Sequence, residues 1–201
     1  MTEKLWTVKE CDDKESVERL MKDVGVDKLV ATLLVQRGIH NYDEAKRFFR
    51  PQLADLYDPF LMKDMDKAVD RLTRAIDNKE KILIFGDYDV DGTTATALML
   101  RYLKSRNANV DFYIPDRYLE GYGLSTQGIN YAAENGTTLL ITVDCGIKGN
   151  DKIDYANSKG IDVIVCDHHT VGEELPKAFA VLDPKRPDCG YPFNALSGWC
   201  G

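Results

Sequence analysis

The apolar positions keep two different rhythms along the chain. Up to about Asn78 they recur at three- and four-residue steps, and Met65, Ala68, Val69, Leu72, Ala75 and Ile76 form a stripe on one face of an amphipathic helix. The earlier pieces "SVERLMKDV", "DKLVATLLVQRGI" and "YDEAKRFFRP" read as short helices, the last stopped by Pro51. From Lys81 the rhythm becomes one of short β-rich runs, "KILIF", "NVDFYI", "TLLITV", "DVIVC" and "AFAVL", separated by helix-sized stretches. Runs of this kind predict parallel strands joined by crossover helices. The expected fold is α/β, an open, doubly wound, mainly parallel sheet behind an N-terminal helical segment. The segment is expected over 1–78 and the α/β domain over 79–201. That domain is expected to be truncated at its C-terminal end, because "FNALSGWCG" brings no terminating feature.

Three of the predicted strands finish in acids: "IFGDYDVD", "ITVDCG" and "VCDHH". In open parallel sheets ligands bind outside the carboxyl ends of the strands, so Asp89, Asp91, Asp144, Asp167, His168 and His169 are expected to converge on one crevice. Asp87, Asp89 and Asp91 stand on alternate positions, which in an extended segment project to the same side. Like charges so placed stay ionised together only with a cation or strong donors among them. A metal is the first reading.

Two other readings of the same stretch fail. A calcium-binding EF-hand loop opens in the same way, but its twelfth position, counted from Asp87, is Leu98 instead of a bidentate Glu. A phosphotransferase of the haloacid-dehalogenase type would use Asp89 as nucleophile and Asp91 as general acid, and would leave the double histidine without a use.

His168 and His169 are neighbours and point in different directions if extended, so one imidazole can bind metal while the other donates to a phosphate oxygen, with Asp167 orienting the pair. Asp144 is either a turn acid capping a helix or a carboxylate bridging two cations. In "IPDRYLEGYGLS", Arg117, Tyr122 and Gly123 precede a helix that Ser125 can cap; the stretch reads equally as a phosphate contact or as an ordinary glycine-rich loop.

Composition changes this picture little. The net charge of −7 is the opposite of the basic surface usual in nucleic-acid binders. Acids that hold divalent cations leave a positive local field, so a polyanionic substrate stays open. Cys11, Cys145, Cys166, Cys189 and Cys200 are scattered without a C-x-x-C pair and are expected to be free thiols. The opening residues lack the apolar core of a signal peptide and no run is long enough to span a bilayer, so the chain reads as cytoplasmic, with no membrane partner.

Taken in order, "FGDYDVDGTTA", "IPDRYLEGYG", "ITVDCGI" and "VCDHHT" resemble the first three motifs of the DHH phosphoesterase family. The flanking "LLVQRGI", "DPFLMKDMDKAV" and "LDPKRPDCGYPF" are similar to its branch of single-stranded-DNA-specific exonucleases. The resemblance implies two-metal hydrolysis of phosphodiester bonds with Mn²⁺ or Mg²⁺, degrading single-stranded DNA from its 5′ end in DNA repair and recombination. It implies Asp89, Asp91, Asp144 and His168 as metal ligands, Asp144 bridging, and Asp87 in place of a histidine that related phosphatases carry where this chain has Phe85. By the same resemblance His169 contacts the scissile phosphate, and a single-strand-binding protein and a recombination helicase are partners. A fourth aspartate motif and a second domain of the family have no counterpart before Gly201, so the chain by itself is expected to be weakly active or inactive. Two alternatives are a small-nucleotide phosphodiesterase of the same fold and a non-catalytic DNA-binding or scaffold module.

Overall fold

The computed structural model describes Leu5 and residues 7–198; the expectations that concern Cys200 and the end of "SGWCG" lie outside them. The chain divides into two compact units, 1–57 and 58–201. In the first, α1 (Lys14–Val24), α2 (Lys28–Val35) and α3 (Tyr42–Phe49) pack around Val17, Leu20, Ala31, Leu34 and Ala45. Each starts on a short polar side chain that accepts from a backbone N–H three residues on: Asp13 from Ser16, Asp27 from Val30 and Asn41 from Glu44.

After a short 3-10 turn at Pro59–Leu61, the second unit runs through α4 (Met65–Asp77), β1 (Lys81–Gly86), α5 (Val90–Ser105), β2 (Val110–Tyr113), α6 (Thr126–Glu134), β3 (Thr137–Val143), α7 (Asn150–Ser158), β4 (Asp162–Cys166) and β5 (Ala180–Leu182). The five strands form one sheet in the order β2-β1-β3-β4-β5, and every pairing is parallel. The doubly wound α/β architecture read from the apolar runs is the one observed.

Alternate strand residues face opposite ways, which divides the core in two. Ile82, Ile84, Leu139, Ile141 and Ile164 pack with Ala68 and Ala75 of α4 and with Ala95 and Leu103 of α5. Leu83, Phe85, Leu140, Val163 and Val165 pack with Ile129 and Ala132 of α6 and with Ile153 and Ala156 of α7. The division between units falls after Tyr57, ahead of the position near Asn78 where the helical rhythm stops. The reason is that the stripe of α4 is part of the sheet's own core. On the same helix the guanidinium of Arg71, 6% exposed, holds Glu80 at 2.8 Å and Asp162 at 2.6 Å, tying α4 to the N-terminal ends of β1 and β4.

Cys11, Cys145, Cys166 and Cys189 are free thiols. Among the described residues no helix is long and apolar enough to cross a membrane.

Ile84 is fully buried in β1, with strands on both sides. Ile84→Ala is expected to lower the unfolding free energy of this unit by about 2–5 kcal/mol, the range for emptying a close-packed aliphatic site. Urea unfolding followed by circular dichroism measures it, and a loss below about half a kcal/mol would contradict the packing described.

Candidate metal centre

The strand order reverses at β1: the chain leaves it for β2 on one side and returns to β3 on the other. The helices that follow these strands, α5 after β1 and α7 after β3, lie on opposite faces, so the loops after β1 and β3 part and leave a crevice over the strands' carboxyl ends. Asp87 follows β1 directly and is fully buried. Asp89 caps α5, its Oδ1 accepting from Gly92 N at 3.0 Å. The turn is tight enough to require Gly92, since a Cβ there would meet the Asp87 backbone at 2.5–2.7 Å.

Asp144 follows β3, is 1% exposed, and sits in the left-handed backbone region at φ 62°. Aspartate tolerates that region better than most residues, and such positions gather at functional sites. Its N–H still donates to Cys166 O at 2.9 Å, so the ladder to β4 holds it in place.

These side chains come together in two overlapping groups. Asp87, Asp89 and Asp144 offer ligand atoms within 4.8 Å of one another, and so do Asp144, His168 and His169. Asp144 belongs to both. Neither oxygen of Asp87 and neither oxygen of Asp144 makes a hydrogen bond among the described residues. His168 Nε2 lies 3.1 Å from Asp144 Oδ1. Its other nitrogen, Nδ1, lies 2.8 Å from the carbonyl of Leu196, which can only accept. In the neutral ring the proton therefore sits on Nδ1, and Nε2 turns a lone pair toward the carboxylate. Only a proton or a cation between them makes that contact favourable.

The charge balance agrees. Burial, and then the neighbouring Asp89, push the Asp144 carboxyl up to about 7. Burial also raises Asp87, whereas the Gly92 N–H lowers Asp89.

Asp167, at the same level on β4 and as buried as Asp144, is fully occupied. Its Oδ1 accepts from the N–H groups of His168 and His169 and from His169 Nδ1 at 2.7 Å, and its Oδ2 from Ile147 N at 2.9 Å. It orients the histidine pair. His169 Nε2 is 3.1 Å from the Tyr122 hydroxyl. Tyr122 meets Tyr88 edge to face, and Arg117 lies 5.5 Å over the Tyr88 ring, so a strip of aromatic and cationic groups leads away from His169. Gly123 follows at φ 79°, a backbone that favours glycine, in the turn before α6. Beside His169 a cavity of about 340 Å³ opens between Tyr122 and the loop carrying Gly146 and Lys148.

Asp91 stands apart from both ligand groups. The helix begins at Val90, so the alternation that would aim residues 87, 89 and 91 to one side ends at Asp89. Asp91 Oδ2 instead accepts from Gly198 N at 2.9 Å.

Three participants were not singled out from the sequence. Tyr88 lies inside the acidic motif, and Leu196 takes part through its carbonyl, for which no side-chain pattern exists. Asp183 follows β5, is fully buried, leaves Oδ2 without a partner among the described residues and is pushed up to about 6 by burial. The strand-end rule that found Asp87, Asp144 and Asp167 would also have found it.

Fold and site define a parallel α/β protein with a carboxylate and imidazole cluster suited to divalent cations over the β1–β3 switch point. The model of the DHH family, N-terminal domain, matches residues 81–201, and the chain belongs to this family. It is similar to the single-stranded-DNA-specific exonuclease RecJ of Bacillus subtilis, with 47% identity over 92% of this chain and 24% of that protein. Its identity to RecJ of Escherichia coli is 36%, over 85% of this chain and 29% of that one. The chain thus spans 24% and 29% of these relatives' length. Among solved structures, exonuclease RecJ bound to manganese is matched with a TM-score of 0.61 at 35% identity, over 66% of this chain and 34% of that one. RecJ of Thermus thermophilus in complex with Mn²⁺ is matched with a TM-score of 0.66 at 28% identity, over 92% of this chain and 25% of that one.

With cations removed, the cluster has a pH signature. Unfolded Asp144 ionises near its ordinary value of 3.8, whereas the folded group keeps its proton up to about 7. The contribution of Asp144 to the stability of the fold therefore falls as pH rises from about 4 to 7 and levels off above. Asp87 and Asp183 act in the same direction. Asp144→Asn is expected to reduce the slope and, in chelator at pH 8, to be ~2 kcal/mol more stable than the parent, part of the full linkage. Urea unfolding at pH 4, 6 and 8 measures this; parallel curves for the two proteins would refute it.

Proposed function

We propose that this chain is the metal-binding part of a single-stranded-DNA exonuclease that hydrolyses phosphodiester bonds from the 5′ end with two divalent cations, Mn²⁺ or Mg²⁺. The observation that carries the reading is Asp144, a buried carboxylate with both oxygens unpartnered among the described residues and a place in two ligand groups at once. The donor set fits. Four buried carboxylate oxygens of Asp87 and Asp144 lack hydrogen bonds among the described residues, and the adjacent imidazole lone pair opposes one of them. Oxygen-rich ligation with an imidazole suits Mn²⁺ and is acceptable to Mg²⁺.

Asp87, Asp89 and Asp144 would hold one cation, and Asp144 with His168 the other, Asp91 adding an oxygen from the first turn of α5. Two such cations activate a water and stabilise the attacking and leaving oxygens of an in-line displacement.

The chain's own groups do the rest. Asp167 fixes His169 through Nδ1 and so aims Nε2 into the crevice, from where a protonated ring would donate to a phosphoryl oxygen once the Tyr122 hydroxyl turns aside. Arg117 offers a charge to the strand, and Tyr88 and Tyr122 offer ring faces on which bases stack without regard to sequence. Gly123 keeps the backbone beside them open to a phosphate. The RecJ names of the relatives support single-stranded DNA as substrate. Repair and recombination in the cytoplasm, beside a single-strand-binding protein and a helicase, is the setting such an activity serves.

Calorimetric titration of this chain with Mn²⁺ is expected to show binding that Asp144→Ala largely removes; an unchanged isotherm would sink the reading. In the whole protein, a strand labelled at the 5′ end should release labelled mononucleotide first, and release from the 3′ end would reverse the polarity. His169→Ala should keep the metal stoichiometry while turnover falls about 10²–10⁴-fold, the usual contribution of a positioned proton donor. Equal loss of metal and turnover would make His169 a ligand.

A further inference from the structure

We propose that the strap Leu196–Gly198 positions the metal-binding groups, acting through its backbone on His168, Asp91 and Asp144 at once. Three contacts carry the inference. The Leu196 carbonyl lies 2.8 Å from His168 Nδ1 and so places the ring proton away from the cluster, leaving the Nε2 lone pair to face Asp144 Oδ1 at 3.1 Å. Gly198 N donates to Asp91 Oδ2 at 2.9 Å, which ties the strap to the first turn of α5. Gly198 itself lies against the Asp144 carboxylate, and a Cβ built on it would overlap Oδ1 of that residue.

The need for glycine is one of room alone. Gly198 does not have a left-handed backbone, so any residue could adopt its φ. What excludes a side chain is the buried carboxylate beneath. The strap is anchored by Leu196, whose side chain packs on the apolar core beneath α4 and α5. An apolar anchor and two hydrogen bonds to site groups make the strap part of the sheet's rigid frame.

Partners of this kind fix the tautomer and aim of a ligating histidine and typically contribute about 10–100-fold to metal affinity. Leu196 and Gly198 are therefore positioning residues, and the inference rests on the metal reading of the site.

The test uses this chain and two readouts. In chelator at pH 8, ¹⁵N spectra of histidine-labelled protein are expected to show His168 protonated at Nδ1. Gly198→Ala, whose new methyl group must push the strap off Asp144, should shift that signal toward the Nε2–H tautomer and weaken Mn²⁺ binding by about tenfold or more. Leu196→Ala keeps the carbonyl and removes only the anchor, so it should move both readouts in the same direction by less, and Leu196→Met should restore them. Ala195→Ser, at an exposed neighbouring position, should change neither. A parent-like tautomer and affinity in both Gly198→Ala and Leu196→Ala would overturn the proposal while leaving the metal reading intact. Absence of Mn²⁺ binding by the parent would instead overturn the metal reading, and the tautomer spectra would still decide whether the strap sets His168.

Discussion

Two buried carboxylates whose oxygens make no hydrogen bond among the described residues govern this site. Asp87 and Asp144 leave β1 and β3, which are neighbours in a parallel sheet, so their side chains arrive at the same end of the sheet, one strand apart. A typical hydrogen bond contributes about 1 kcal/mol, whereas an uncompensated buried charge costs several. The second magnitude decides the chemistry: the pair must take up a proton or a cation. Without metal, Asp144 takes the proton, raised by burial and by Asp89. Every other feature of the crevice, from the Asp89 cap to the lone pair of His168, is arranged around that unmet demand.

Asp167 shows that the demand comes from partners and not from residue type. It matches Asp144 in burial and in position at a strand end, yet backbone N–H groups and one imidazole occupy both of its oxygens. A carboxylate so satisfied has no need of a cation and serves to hold the histidines. The same sheet thus presents an acid that seeks a ligand and an acid that supplies rigidity, side by side on β3 and β4.

The fold was legible because its signals are local and repeated. Each strand is an apolar run, the central runs are buried, and acids at the ends of parallel strands have only one crevice to share. Asp87, Asp89, Asp144, His168 and His169 were therefore brought together as expected. Two things escaped. The alternation rule was carried too far at Asp91, because Asp89 caps a helix and the extended backbone ends there. The extent of the N-terminal segment was set by periodicity, and periodicity identifies a helix without saying which core its stripe joins; α4 joins the sheet's core. Leu196 and Gly198 act through a carbonyl, an amide and an absent side chain, none of which leaves a pattern in one sequence.

The sharing of Asp144 has a consequence for the order in which the proposed cations load. Its proton and any cation compete for the same oxygens, so the first ion must displace that proton, and at pH below about 7 it does so at a cost. Once Asp144 is ionised, its repulsion with the His168 lone pair sharpens the need for a second positive charge between them. On the proposed reading a first ion would meet part of the electrostatic demand of Asp144 and leave the oxygen facing His168 to a second, so the two sites would be coupled through one carboxylate. The all-oxygen group, with Asp87 and Asp89 already beside Asp144, has the greater negative charge and is the natural place for the first ion. The imidazole group would then fill second, on the side of the crevice where His169 Nε2 and the Tyr122 hydroxyl lie 3.1 Å apart, so that under the proposed function completion of the cluster and contact with a phosphate would fall at the same edge.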